Sequence, residues 1–335
     1  MERILITGAS GFIGSFIVEE ALAKGMEVWA AVRKSSSRAF LTDSRIHFIE
    51  LSLNDAPKLC EQLQGHAFDY VVHAAGVTKC LHAEDFHQVN TVGSQNLVQA
   101  LLTTKQPLRR FIYISSLSIF GPIREQQPYQ EIREDDTPQP NTAYGKSKLA
   151  TERWLDGLAA KGVDFPYVIL RPTGVYGPRE RDYFMMAKSI KQHVDFSVGY
   201  TQQDITFVYV SDVVQAVFLA IDHGKTGSKY FLSDGEVYQS RAFSDHLRHC
   251  LGDKWLLRIK APLWVRRAGT FCGEYWGRMT GKMTALNNDK YYILKQRNWR
   301  CDIQPAIDQL GYNPQVKLEE GVGRSVEWYK QQHWL

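Results

Sequence analysis

Short apolar runs alternate with stretches of helical periodicity through the first half of the chain. Arg3–Thr7, Glu27–Val32, Tyr70–Ala75, Phe111–Ser115 and Tyr167–Leu170 read as buried strands. Gly11–Lys24, Phe86–Leu102 and Tyr144–Ala160 carry the three-to-four residue spacing of helices. Strands alternating with helices imply crossover units and a doubly wound parallel sheet. Ligands then sit at the carboxyl ends of the strands. The pattern changes after Pro172: Gly174–Pro178 and Ser197–Asp204 read as loops, Phe207–Val210 as a strand, and Asp212 as a helix cap. Residues 1–176, with a return segment near 203–222, are assigned to the sheet domain, and residues 177–335 to a smaller mixed α/β domain.

Composition supports a folded chain. It has 335 residues, 44% hydrophobic and 23% charged, enough for two ordinary domains and a sizeable core. Forty basic against 36 acidic residues give +4, well short of a nucleic-acid-binding charge pattern. The cysteines number five, with no CxxC pair, which argues against a disulfide framework or a structural zinc and for a reducing compartment. The run Ile4–Thr7 is too short for a signal-peptide core, and no apolar stretch reaches the length of a membrane span, so a cytoplasmic protein is expected.

The first chemistry lies directly after the first strand, in Thr7-Gly8-Ala9-Ser10-Gly11-Phe12-Ile13-Gly14. Gly8 permits a tight turn, Gly11 lets the backbone approach a pyrophosphate, and Gly14 lets the helix pack on the sheet. The helix N-terminus adds N–H donors and positive potential. The spacing is GxxGxxG, and the strand-before, helix-after context marks a Rossmann-type dinucleotide loop. The second strand ends Val32-Arg33-Lys34 with no carboxylate for a ribose 2′-hydroxyl. Arg33 with Lys34 suits a 2′-phosphate, so NADP is favoured over NAD.

Tyr144 and Lys148 stand four residues apart and share one helix face. A lysine cation beside a tyrosine would lower the phenol pKa and let it exchange a proton with a substrate oxygen near neutral pH. Ser115-Ser116-Leu117-Ser118 closes an apolar strand and so lies on the ligand edge of the sheet, where a hydroxyl can bond a substrate oxygen.

Together with Val72–Gly76, Asn90–Leu97, Arg171–Arg179 and Tyr209–Asp212, these segments resemble the extended short-chain dehydrogenase/reductase superfamily, the NAD-dependent epimerase/dehydratase family. The resemblance covers nearly the whole chain. It implies a catalytic set of Ser116, Tyr144 and Lys148, with Tyr144 as acid–base and Ser118 as helper. It implies cofactor contacts at Gly8, Ser10, Gly11, Phe12, Ile13, Gly14, Arg33, Lys34, Ser52, Leu53, Ala74, Ala75, Gly76, Tyr144, Lys148, Pro172 and Val175. His73 and Asn90 are expected to be structural.

Three departures narrow the expectation. Ser52 stands where relatives often hold adenine with an acid. Leu117–Phe120 lack the Asp-Glu pair of dehydratases. Ile205, seven residues before Asp212, replaces the arginine that grips a diphosphate in sugar-nucleotide enzymes. The strand end at Arg33 resembles the dihydroflavonol reductase branch, and the tail from Leu286 to Pro314 resembles the 3β-hydroxysteroid dehydrogenase-like branch. The expected activity is an NADPH-dependent oxidoreductase reducing a ketone of a hydrophobic substrate, such as a long-chain keto-amine (3-ketosphinganine) or a steroid-like ketone. The alternative is an NAD-dependent sugar-nucleotide epimerase.

Aromatic and basic residues interleave from Trp255 to Trp276. Three readings stay open: a substrate pocket, a peripheral membrane contact, and plain core with a solvated basic face. The resemblance further implies a homodimer paired through the helices Phe86–Leu102 and Tyr144–Ala160.

Overall fold

Ile4, Leu5 and Ile6 of β1 (Arg3–Thr7) are completely buried, with no polar face turned to solvent. Burial on both faces marks a central parallel strand covered by helices. The computed structural model, which describes residues 1–198, 202–253, 255–261 and 288–335, bears this out. β1 pairs in parallel with β2 (Glu27–Val32) on one side and β4 (Tyr70–His73) on the other. β3 (His47–Glu50) edges β2. β5 (Arg110–Ile114) and β6 (Tyr167–Pro172) continue beyond β4, and the late strand Lys229–Leu232 closes that side. The chain finishes one half at β3 and restarts at β4, so the order reverses beside β1. That reversal opens a crevice outside the carboxyl ends of β1 and β4.

The helices divide between the two faces. α1 (Phe12–Ala23) buries Ile17 and Val18 on one face. α2 (Ala56–Leu63) buries Leu59 and Leu63 on the other. The segment expected as one helix from Phe86 to Leu102 is three pieces. α3 (Ala83–Phe86) runs through a π-helical turn, His87–Val92, into α4 (Gly93–Thr103). The wider turn turns Asn90 inward, where its side chain bonds both backbone groups of Val77. α5 (Ala143–Ala160) packs its Leu155 and Leu158 into the same core as α4.

Beyond β6 three expectations are corrected, the first being the loop expected over Ser197–Asp204, whose two ends belong to the strands Val194–Val198 and Asp204–Ile205. Gly174–Tyr176 is a strand, β7, not a loop. After α6 (Arg181–Lys191), β8 (Val194–Val198) and β9 (Asp204–Ile205) comes β10 (Phe207–Tyr209), with which β7 pairs in parallel. Asp212 does not cap its helix, α7 (Val210–His223), which begins before it. Its carboxylate accepts the backbone N–H groups of Gln315 and Val316 and so ties down the C-terminal segment. Among the described residues no helix is long and apolar enough to cross a membrane.

Candidate active site

The turn after β1 is built for close backbone approach. Gly8 has φ of +69°, and a Cβ there would lie 2.6 Å from the Ala75 nitrogen. A Cβ on Gly14 would collide with the Gly8 carbonyl, so only glycine lets α1 meet the sheet here. No side chain caps α1 at Gly11. The first amides of the helix are thus left for an anion. Beneath the turn, His73 is fully buried between Thr7 (2.6 Å) and Ser94 (2.8 Å), and burial holds it neutral, down to about 3. It is the structural histidine expected.

A cavity of about 480 Å³ occupies the crevice. Of the residues expected to hold a cofactor, Gly8, Ser10, Gly11, Arg33, Ser52, Leu53, Ala74, Ala75 and Gly76 line it. Phe12, Ile13, Gly14, Lys34, Tyr144, Lys148, Pro172 and Val175 do not. Ile13 and Val175 pack against the core, Pro172 is buried as the last residue of β6, and Lys34 is exposed. Glu50, Ser36, Asn54 and Val89 line the cavity without having been expected there. Glu50 sits opposite Val32 in the β2–β3 register, which brings a carboxylate to the strand end that carries Arg33. A crevice with an uncapped helix N-terminus, a hydroxyl at Ser10 and a guanidinium at Arg33 fits a dinucleotide.

The expected catalytic residues converge beside this cavity. Ser116 follows β5, and its hydroxyl lies 3.1 Å from that of Ser118. Tyr144 stands in the first turn of α5, with its ring edge-on to Phe86. Burial pushes its phenol up to about 12, opposed by a hydrogen bond from Ser116. Lys148 is buried, donates 2.8 Å to the Ile114 carbonyl, and lies over the Tyr113 ring. Burial pushes its amine down to about 8, against the pull of Glu152. The expected lowering of Tyr144 by Lys148 is therefore not what this structure shows. Desolvation outweighs the Ser116 hydrogen bond, and the phenol keeps its proton through neutral pH. A Cβ on Gly76 would lie 3.3 Å from the Lys148 amine, so the lysine reaches the edge of the cavity.

Comparison with known proteins follows the geometry. The model of the NAD dependent epimerase/dehydratase family matches residues 4–233. A UDP-glucose 4-epimerase of Vibrio cholerae is 26% identical over 98% of this chain and 96% of its own length. A 2-alkyl-3-oxoalkanoate reductase of Stenotrophomonas maltophilia is 25% identical over 96% of this chain and 98% of its own. Among solved structures, a dTDP-glucose 4,6-dehydratase of Streptomyces venezuelae with NAD bound superposes with a TM-score of 0.79, at 22% identity, over 99% of this chain and 98% of that one.

Proposed function

The chain belongs to the NAD-dependent epimerase/dehydratase family, whose members are NAD(P)-dependent enzymes of the extended short-chain dehydrogenase/reductase type, and within it we propose an NADPH-dependent reductase of a bulky hydrophobic ketone. The observation that carries this reading is Arg33, which lines the same cavity as the glycine turn on a strand whose end has no acid. A guanidinium there can grip a 2′-phosphate with paired hydrogen bonds. The dinucleotide when bound supplies a hydride. The chain's own residues handle the oxygen. Ser116 holds the carbonyl, Tyr144 donates its proton to it, and Lys148 offsets the charge left on the phenol. A phenol held protonated is the form a reduction needs.

The substrate side supports a ketone without a diphosphate. Leu117, Ile119 and Phe120 are buried and apolar beyond Ser116, so the pair of carboxylates that eliminates water has no counterpart. Ile205, bridged to Tyr238, offers no charge to a diphosphate. The relative named for reducing 2-alkyl-3-oxoalkanoates favours a long-chain keto compound, with a keto-amine such as 3-ketosphinganine and a steroid-like ketone as the members of the class to try. Most of the stretch Trp255–Trp276 lies outside the described residues, and so does the choice among its three readings. Homodimerisation through α4 and α5 is part of the proposal.

Glu50 favours a second reading. A carboxylate in the cavity beside Arg33 can accept from a 2′-hydroxyl, which suits NAD and hence a sugar-nucleotide epimerase like the Vibrio relative. Two substitutions separate them. On the reductase reading, Arg33→Ala weakens NADPH binding about tenfold or more and leaves NADH within about twofold. Glu50→Gln then tightens NADPH by removing a repulsive charge. Fluorescence titration of both coenzymes checks this. Loss of NADH affinity in Glu50→Gln, with Arg33→Ala neutral toward NADPH, supports the epimerase.

A further inference from the structure

The N-terminus of α5 is held by a residue from far along the chain. Three of its first amides have side-chain partners. Thr142 accepts from Gly145 N–H at 2.9 Å. The two before it go to one carboxylate: Asp289 Oδ1 accepts from Ala143 N–H at 2.9 Å, and Oδ2 accepts from Tyr144 N–H at 3.0 Å. We propose that Asp289 is a positioning residue, which fixes the backbone of Tyr144 itself and so sets the phenol against Ser116.

Asp289 lies beyond residues 4–233, the part of the chain that the family model covers. Its support is firm. The helix Asn288–Lys295 that carries it is anchored at its far end, where Gln203 donates to the Leu294 and Gln296 carbonyls at 2.8 Å each. Three residues on, the completely buried Asn298 donates to the Gln130 carbonyl at 2.8 Å. The charge of Asp289 also reaches the loop after β4. The Cys80 thiol there is pushed up to about 11, by burial first and then by the Asp85 and Asp289 carboxylates. Asp289 thus joins the helix that bears Tyr144 to a part of the fold separate from the sheet. Two charge-assisted bonds to successive amides define the pitch of the first turn, and displacements of an ångström at an acid–base group are costly in rate.

The inference needs only that Tyr144 is the acid–base residue, so it is tested with whichever reaction the wild-type chain performs, ketone reduction or epimerisation. Asp289→Ala, Asp289→Asn and a control, Asp302→Ala, are compared. Asp302 accepts from Gln304 N–H at the start of the helix Gln304–Leu310, away from Tyr144. Expected for Asp289→Ala are faster amide exchange confined to residues 143–145, kcat lower by about tenfold or more, and an unchanged coenzyme Kd. Asp289→Asn, which keeps one acceptor, recovers part of the rate, and Asp302→Ala keeps the wild-type kcat. Wild-type kcat in Asp289→Ala overturns the proposal. So does a loss of rate that merely follows a loss of folded protein. If the wild-type chain performs neither reaction, the functional reading fails, and the exchange measurement alone decides whether Asp289 holds the helix.

Discussion

Tyr144→Phe is expected to lower turnover about 10³-fold, in the middle of what a positioned general acid contributes, while coenzyme affinity stays within a few-fold. The substitution removes one hydroxyl and leaves the ring against Phe86. The proton has no other donor of the right kind, because Ser116 is an aliphatic alcohol and a far weaker acid than a phenol, and Lys148 is turned to the Ile114 carbonyl. The same geometry sets the pH dependence of the reduction. Tyr144, at about 12, remains a donor across the working range. Lys148, at about 8, loses its charge first. A neutral amine no longer stabilises the phenolate that forms as the proton leaves, so the rate holds near neutrality and falls as pH rises through about 8. Steady-state kinetics from pH 6 to 10 read this directly. A rate that climbs through that range contradicts it.

Glu152→Ala is expected to cost about 3–5 kcal/mol of folding stability. Glu152 and Arg171 form an ion pair whose side chains are 1% and 4% exposed. One carboxylate oxygen also accepts from Ser115 at 2.5 Å, and the other accepts from Arg171 Nη2 at 2.6 Å. Among the described residues Arg171 Nη1 has no hydrogen-bond partner, and the guanidinium lies over the rings of Phe120 and Phe231. Removing the acid leaves a buried cation beside apolar rings, with only the weaker attraction of the Glu134 carboxylate to offset its desolvation. Replacing both residues by methionine removes the charge together with its partner, and should lose clearly less. Urea denaturation of both variants decides the matter. A single-variant loss under about 1 kcal/mol would mean that water reaches Arg171.

The apolar runs were the legible part of the fold. Arg3–Thr7 and Glu27–Val32 are strands at the boundaries their composition suggested, since central parallel strands are apolar on both faces. The short β7 was not legible. Three residues opening on a glycine give no period to read, and the strand exists through its pairing with Phe207–Tyr209. The π-helical turn around Asn90 escaped for a similar reason, because one added residue leaves the overall helical spacing intact. In the site, the roles expected of Ser116, Tyr144 and Lys148 came from the family resemblance, with the four-residue spacing adding only that Tyr144 and Lys148 share a helix face. Glu50 and Asp289 were not legible. The first reaches the cavity through strand register, the second through a contact 145 residues distant in sequence. The direction of the Tyr144 shift was also misread. Spacing puts Lys148 on the same helix face, but only the fold shows that Tyr144 is buried, and burial sets the direction of its shift.

The most direct test of the central claim is coenzyme consumption by the wild-type chain, NADPH against NADH, with a panel of hydrophobic ketones that includes a long-chain keto-amine, a 3-oxoalkanoate and a ketosteroid. The account predicts oxidation of NADPH, well ahead of NADH, with one ketone class. No consumption of either coenzyme, with NAD carried through purification and a sugar nucleotide epimerised, would contradict it.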